Sequence, residues 1–332
     1  MNFFVISLRK NFLMILFLLF TICLLCFSSS NLLAAQEGLA LWATTVLPSL
    51  FPFFIATELL CKTNFITIVG KLLNKFMRPI FNVPGESATA LLLGTISGYP
   101  IGAKVVCNLK KQKIISKIEA ERLIAYTNNS GPLFILGSVG VSLFGNKQIG
   151  TILLISHIIS CVIVGLIFKN WKKKNEFKID YKLFKTEETR LLKLSDLGEI
   201  LGDAIKNSIS TVLTIGGFVV LFSVILSIIE TSGILDLVCT GLAQIGINNL
   251  FSQALLSGIL ELTNCVKLSS GLFLENSNLS ILLTSFLLGF GGVSVLLQVY
   301  SIIAKEGISI KPYFYGKFLQ GIISIFVTAL FL

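Results

Sequence analysis

Lys104 stands inside an apolar run, in the stretch TISGYPIGAKVVCNLKK from Thr95 to Lys111, a few residues past Gly98 and Pro100. A lysine within an apolar segment needs a partner or a purpose. A helix arm starting near Pro100 would bring its positive dipole end and free backbone N–H groups to the same place, and that combination suits a carboxylate. Lys104 could instead snorkel to the interface or neutralise Glu119. Ser97, Gly98 and Tyr99 form the adjoining turn, and Tyr99 either stacks on an aromatic ring or simply packs. In TNNSGP, from Thr127 to Pro132, Asn128, Asn129 and Ser130 offer side-chain and unwound backbone oxygens to a substrate or a cation. The other reading is that they satisfy the broken helix's own groups. Glu261, Thr263 and Asn264 of ELTN fall in a further apolar run. Glu261 could bind a coupling cation, accept a proton, pair with Lys104, or serve as a structural partner of Lys267. Gly289, Gly291 and Gly292 of GFGGVS permit close backbone approach, with Ser294 and Gln298 facing a cavity, or they are helix-packing glycines. His157, the one histidine, is either a proton relay or a side chain hydrogen-bonded to a neighbouring helix.

These residues do not assemble enzyme machinery. There is no carboxylate pair at one depth, no Ser-His-Asp set and no metal-ligand cluster, so the chain reads as a non-enzyme without a cofactor. A coupling ion, Na+ or H+, is left open, with Asn129 and Glu261 as the residues for it. Cys23 and Cys26 form a C-x-x-C inside an apolar span with no second pair or nearby histidine, which fits packing better than metal or redox chemistry.

The elements that must position these groups are membrane helices. Of 332 residues, 54% are hydrophobic and 13% charged, against about 25% charged in a typical soluble domain. The net charge of +10 is crowded between apolar runs, as in cytoplasmic loops, and does not argue for nucleic acid. The first apolar stretch, after Arg9 and Lys10, is long for a signal peptide and reads as an uncleaved anchor. With the N-terminus placed in the cytoplasm, residues 12–33 cross outward and 38–60 return, kinked by Pro48 and Pro52. Residues 64–78 carry Lys71, Asn74, Lys75 and Arg78 on one face and Phe65, Val69, Leu72, Leu73 and Phe76 on another, the pattern of an interfacial helix.

The run from Ser87 to Leu109 is long enough to cross, yet both flanks are basic. Two half-depth arms reversing at Ser97–Pro100 resolve the conflict, each about 15 Å long. Residues 118–144 cross outward with a break at TNNSGP, 149–168 return, and 169–196 form a basic cytoplasmic linker. The order then repeats with acidic flanks: span 207–229, interfacial stretch 233–246, hairpin 251–274, broken span 279–304 and last span 313–332. TTVL at 44–47 parallels STVL at 210–213, and ALLLG at 90–94 parallels ALLSG at 254–258. The fold class expected is an all-α polytopic membrane protein: an inverted-topology repeat with two re-entrant helical hairpins and two broken transmembrane helices, the C-terminus outside. Its parts are an anchor over 1–36, a first repeat over 37–168, the linker 169–196 and a second, inverted repeat over 197–332.

VLPSLFPFFIATELL (46–60), FMRPIFNVPG (76–85), ISGYPIGAK (96–104), EAERLIAYTNNSGPLFILGSVG (119–140) and GFGGVSVLLQV (289–299) resemble the sporulation integral membrane protein YlbJ family, also called SpoVV. The likeness covers nearly all of residues 37–330. It implies paired nucleoside-recognition, or Gate, domains on a plan similar to concentrative nucleoside transporters. It further implies a role in endospore formation, moving dipicolinate from the mother cell across the outer forespore membrane. The partners expected are therefore a dipicolinate-like anion and the lipid bilayer, with a homo-oligomer compatible and no nucleic acid. A nucleoside carrier of the same fold, and a spore-envelope assembly protein that transports nothing, are the competing readings.

Overall fold

The computed structural model describes residues 2–172, 196–262 and 277–332, with residues 2–10 as backbone only. Among the described residues every regular element is helical. The expected linker falls largely at 173–195 and the return arm of the second hairpin at 263–276, outside the described residues.

Helix α1 spans Asn2–Cys26 and α2 spans Ser28–Leu41. The charge pattern places a reversal near residues 34–37, and the structure has none there: α2 is helical throughout. Its break from α1 lies at Phe27, where the amide of Phe27 still bonds Cys23 O and that of Asn31 bonds Phe27 O. The Asn31 side chain donates to Cys23 O at 3.1 Å. Gln36 and Glu37 resemble a loop only until packing is considered: Gly38 is buried, and its position lies against Ser223 and Val220.

A π-helical turn, Trp42–Val46, carries α2 into α3, Leu47–Lys62. Pro48 has no N–H for the carbonyl of Thr44, and the widened turn lies over that gap. The result is a 35-residue apolar rod, Ser28–Lys62. Helix α9, Leu197–Thr231, also has 35 residues. The two run antiparallel: Gly38 meets Ser223, Trp42 Nε1 donates to Val212 O at 3.0 Å, and Lys62 bonds Asp203 at 2.7 Å. Each rod is about 52 Å long, against a hydrocarbon core of about 30 Å, so both tilt or project beyond it.

Helix α4, Phe65–Phe81, buries Ile66, Val69, Met77 and Phe81. Ile68, Leu72 and Phe76 recur every four residues as an exposed apolar stripe beside Lys71 and Lys75. Then come α5, Ala88–Ile96, and α6, Ile101–Lys111, packed on each other through the turn Ser97–Pro100. Gly98 takes φ 81° in that turn, a conformation that costs a side-chain-bearing residue about 1–2 kcal/mol.

Helix α7, Lys117–Thr127, opens with a capping box in which Ser116 Oγ accepts from Glu119 N and Glu119 Oε2 accepts from Ser116 N. Arg122, fully buried, donates to Asn82 O and Trp171 O, each at 3.1 Å. The helix stops at Asn128 in extended backbone, and the chain resumes as a π-helical stretch, Phe134–Leu143, before α8, Lys147–Phe168. The later elements are α10, Ile234–Gln244; α11, Asn249–Leu260; α12, Ser277–Phe290; α13, Gly292–Ile303; and α14, Lys311–Ala329. Helix α14 packs on α7, α8 and α12, and α12 also packs on α8.

Among the described residues, four helical runs are long and apolar enough to cross a bilayer: Ser28–Lys62, Lys147–Phe168, Leu197–Thr231 and Ser277–Glu306. The last includes a break at Gly291 and Gly292, whose φ angles are 86° and 80°. The chain is a multi-pass integral membrane protein.

Candidate functional site

The turn between α5 and α6 and the break after α7 form one unit. Side chains at Gly94 and Gly102 would strike the carbonyl of Thr127, and one at Gly94 would also strike Gly102. Glycine at both positions therefore lets the two arms close on each other and on the end of α7. Gly98 at the turn sits against Gly131. In the second half Gly292 sits against the carbonyls of Gly258, Ile259 and Leu260 at the end of α11. Each chain break thus meets the end of a short apolar helix.

Two cavities adjoin this unit. The larger, about 880 Å³, is lined by α3, α6, α9 and the end of α13, and its size is in the range of small-molecule sites, about 300–1,000 Å³. Its charged lining is Lys62, Lys104, Lys111 and Lys305 against Glu58 and Glu306. The smaller, about 40 Å³, lies at the turn and includes Gly98, Tyr99, Gly131, Glu261 and Gln298; it has room for about one water molecule. Ile215 and Gln298 line both cavities.

Lys104 Nζ donates to Glu58 Oε1 at 2.9 Å and Thr211 Oγ1 at 2.7 Å. Glu58 Oε2 accepts from Asn207 Nδ2 at 3.2 Å. Its carboxylate partner is thus Glu58 of α3, in place of the Glu261 or Glu119 considered from sequence. Glu119 is committed to its capping box, and Glu261 lines the smaller cavity. The lysine side chain keeps 28% of its surface exposed, to the cavity. At the end of the same arm, Lys110 donates to Glu306 O at 2.8 Å and Lys111 pairs with Glu306 at 3.3 Å, fastening α6 to the segment after α13.

Ser97 is buried and shares a 2.7 Å hydrogen bond with Thr57, so it joins the turn to α3 without lining either cavity. Asn128, Asn129 and Ser130 are fully buried and also stand off both cavities. Their partners are protein groups: Asn128 Nδ2 donates to Tyr313 at 3.2 Å, Asn129 Nδ2 to Tyr126 O at 2.8 Å, and the Ser130 amide to His157 Nε2 at 3.2 Å. His157 is thus hydrogen-bonded to the break after α7. Ser294 is buried and accepts from Gln298 at 3.4 Å. Gly291 and Gly292 make the second break, and Thr263 and Asn264 lie outside the described residues.

Two residues escaped the sequence reading. Glu58 sits in the apolar stretch IATELLCK, and Lys317 in KPYFYGKFLQG; each is an ionisable group within an apolar run, the signal that singled out Lys104.

Helices of membrane-spanning length, two breaks seated on short helices and a cavity lined with lysines define a polytopic membrane protein with a solute-sized chamber. Residues 43–168 match the Gate family model, described as nucleoside recognition. The chain is 38% identical over 325 residues to the sporulation integral membrane protein YlbJ of Bacillus subtilis (strain 168), covering 92% of this chain and 78% of that protein. It belongs to the YlbJ family of sporulation integral membrane proteins. No solved structure matches it.

Proposed function

We propose that this protein is a secondary transporter for a small carboxylate anion, dipicolinate above all, acting in endospore formation at the outer forespore membrane. The observation that carries the reading is the excess of lysine over glutamate around the larger cavity, with Lys104 in the first turn of α6. The lining is mixed but carries more lysine than glutamate, and a net positive lining favours anions. In this conformation Glu58 occupies Lys104 as an internal carboxylate. A substrate carboxylate would take that place and accept from Lys104, leaving Glu58 its existing bond from Asn207. The aromatic ring would then have to pass Gln298 and Ile215 into the smaller cavity, which must widen to receive it.

That widening is the alternating-access step. The larger cavity opens at the end of the molecule bearing Lys62, Lys111 and Lys305, the cytoplasmic end by the charge rule; Glu230 and Asp236 mark the other. Pairing supports the inverted repeat: α7 packs on α14 and α12 on α8, the exchange expected of two halves related by a pseudo-two-fold axis. The α5–α6 pair would then be a re-entrant hairpin from the cytoplasmic face, with α11 as one arm of its counterpart. The likeness to the Bacillus subtilis sporulation protein supports the role in sporulation.

Vesicles containing only this protein, assayed separately for uptake of labelled dipicolinate and of labelled uridine, test the reading. Uptake of dipicolinate alone is expected. Uptake of uridine alone would replace the anion with a nucleoside, the ligand class named by the Gate description, and uptake of neither would leave an assembly protein.

A further inference from the structure

Among the described residues, no carboxylate meets the lysine at the carbonyl end of α7. Lys317 of α14 is 1% exposed. Its Nζ donates to Asn128 O at 2.9 Å and to Gln320 Oε1 at 2.7 Å, with no acidic partner among the described residues. Asn128 is the residue at which α7 stops, so the ammonium faces the negative pole of that helix dipole. Gln320 extends the assembly, donating to Asn129 Oδ1 at 3.0 Å and His157 O at 3.3 Å. The titratable groups that feel the lysine are His157 and Cys161 from α8; beyond them, Tyr126 of α7 is bonded to Asn129 and Cys161, and Tyr313 of the lysine's own helix to Asn128. Helix α12 contributes none.

Secondary transporters with broken helices use freed carbonyls and half-helix C-termini to coordinate a soluble coupling ion. Here those oxygens already have a donor on a covalent stem. We infer that Lys317 is a resident cation filling that ion position, so the chain binds no Na+ there and its cycle runs without a sodium gradient. This deepens the transporter reading and takes its meaning from it. It also reassigns Asn129 from a cation ligand to a brace, through Gln320, for the lysine's own acceptors.

The geometry separates this role from simple packing. A methionine would fill most of the same volume but leave Asn128 O and Gln320 Oε1 without a donor. An alanine would leave the same oxygens around a space open to a small cation. Thermal unfolding of the full chain in detergent reads both, and needs no transport. The wild type is expected to unfold at one temperature in sodium, potassium and choline chloride of equal ionic strength. Lys317→Met and Lys317→Ala should each lower that midpoint by roughly 5 °C or more. Methylammonium or Na+, but not choline, should restore Lys317→Ala saturably and leave Lys317→Met unchanged.

A saturable stabilisation of the wild type by Na+ that Lys317→Met retains would overturn the inference, because a metal site would then exist beside the lysine. So would a Lys317→Met protein as stable as the wild type. Should Lys317→Ala not fold, the wild-type salt series and Lys317→Met decide alone. Loss of dipicolinate uptake from the wild type would instead sink the transporter reading and leave this result standing.

Discussion

At the scale of single residues the account turns on Lys104 and Glu58. A half-buried lysine held by a carboxylate and a hydroxyl is already satisfied, so an incoming anion gains only the difference between its own contact and that of Glu58. Removing the competitor should therefore tighten ground-state binding. Glu58→Gln is expected to lower the apparent dissociation constant for dipicolinate by up to about tenfold, roughly 1.4 kcal/mol, and to slow release, measured as calorimetric affinity against turnover. The Thr211→Val change removes one hydrogen-bond partner of the lysine and should change affinity by less, about 1 kcal/mol. Lys104 was legible from its place near Gly98 and Pro100. Lys317 carries the same signal more faintly, because its burial is created by α7 and α8, which lie far away in sequence, and its own segment begins like an ordinary aromatic-rich helix start.

At the scale of elements, the turns and breaks were readable because glycine and proline announce them. Gly98, Gly291 and Gly292 all adopt positive φ, at the places expected from SGYP and GFGG. The join between α2 and α3 was less readable, since nothing local marks a π-helical turn and the polar residues Gln36 and Glu37 imitate a loop. The glycines between elements give a sharp test. Gly102→Val would drive a branched side chain into the Thr127 carbonyl; the cost should be about 3 kcal/mol, seen as loss of folded protein in a detergent melt. Gly145 also has a positive φ of 60°, but its Cβ position is open. Gly145→Ala should thus lose only the backbone preference, about 1 kcal/mol, and leave uptake unchanged.

For the whole molecule, the basic flanks on both sides of the α5–α6 pair are what argue for a hairpin rather than a crossing, and the expected return arm of the second hairpin lies outside the described residues. The N-terminal region is where the charge reading misled: a long apolar run followed by polar residues looked like a span and a return, yet α2 continues. The disposition of the remaining chain leads to a topology test. Lys75 on α4 and Lys113 after α6 are both exposed and flank the α5–α6 pair. As single cysteines in a chain lacking its native seven, both should react with an impermeant thiol reagent from the cytoplasmic side. A tag after Leu332 should be reached only from the opposite side, because α14 starts at Lys311 near the lysine-rich end and runs away from it. Reaction of the two cysteines from opposite faces would make the α5–α6 pair a crossing and remove the chamber's floor.

The most direct measurement of the central claim is initial uptake of labelled dipicolinate by vesicles containing purified wild-type protein or Lys104→Met, matched for inserted protein. The account predicts robust uptake by the wild type and a fall of at least about thirtyfold in the variant, the loss of one charged hydrogen-bonding partner of about 2 kcal/mol. Uptake by Lys104→Met at the wild-type rate would contradict it.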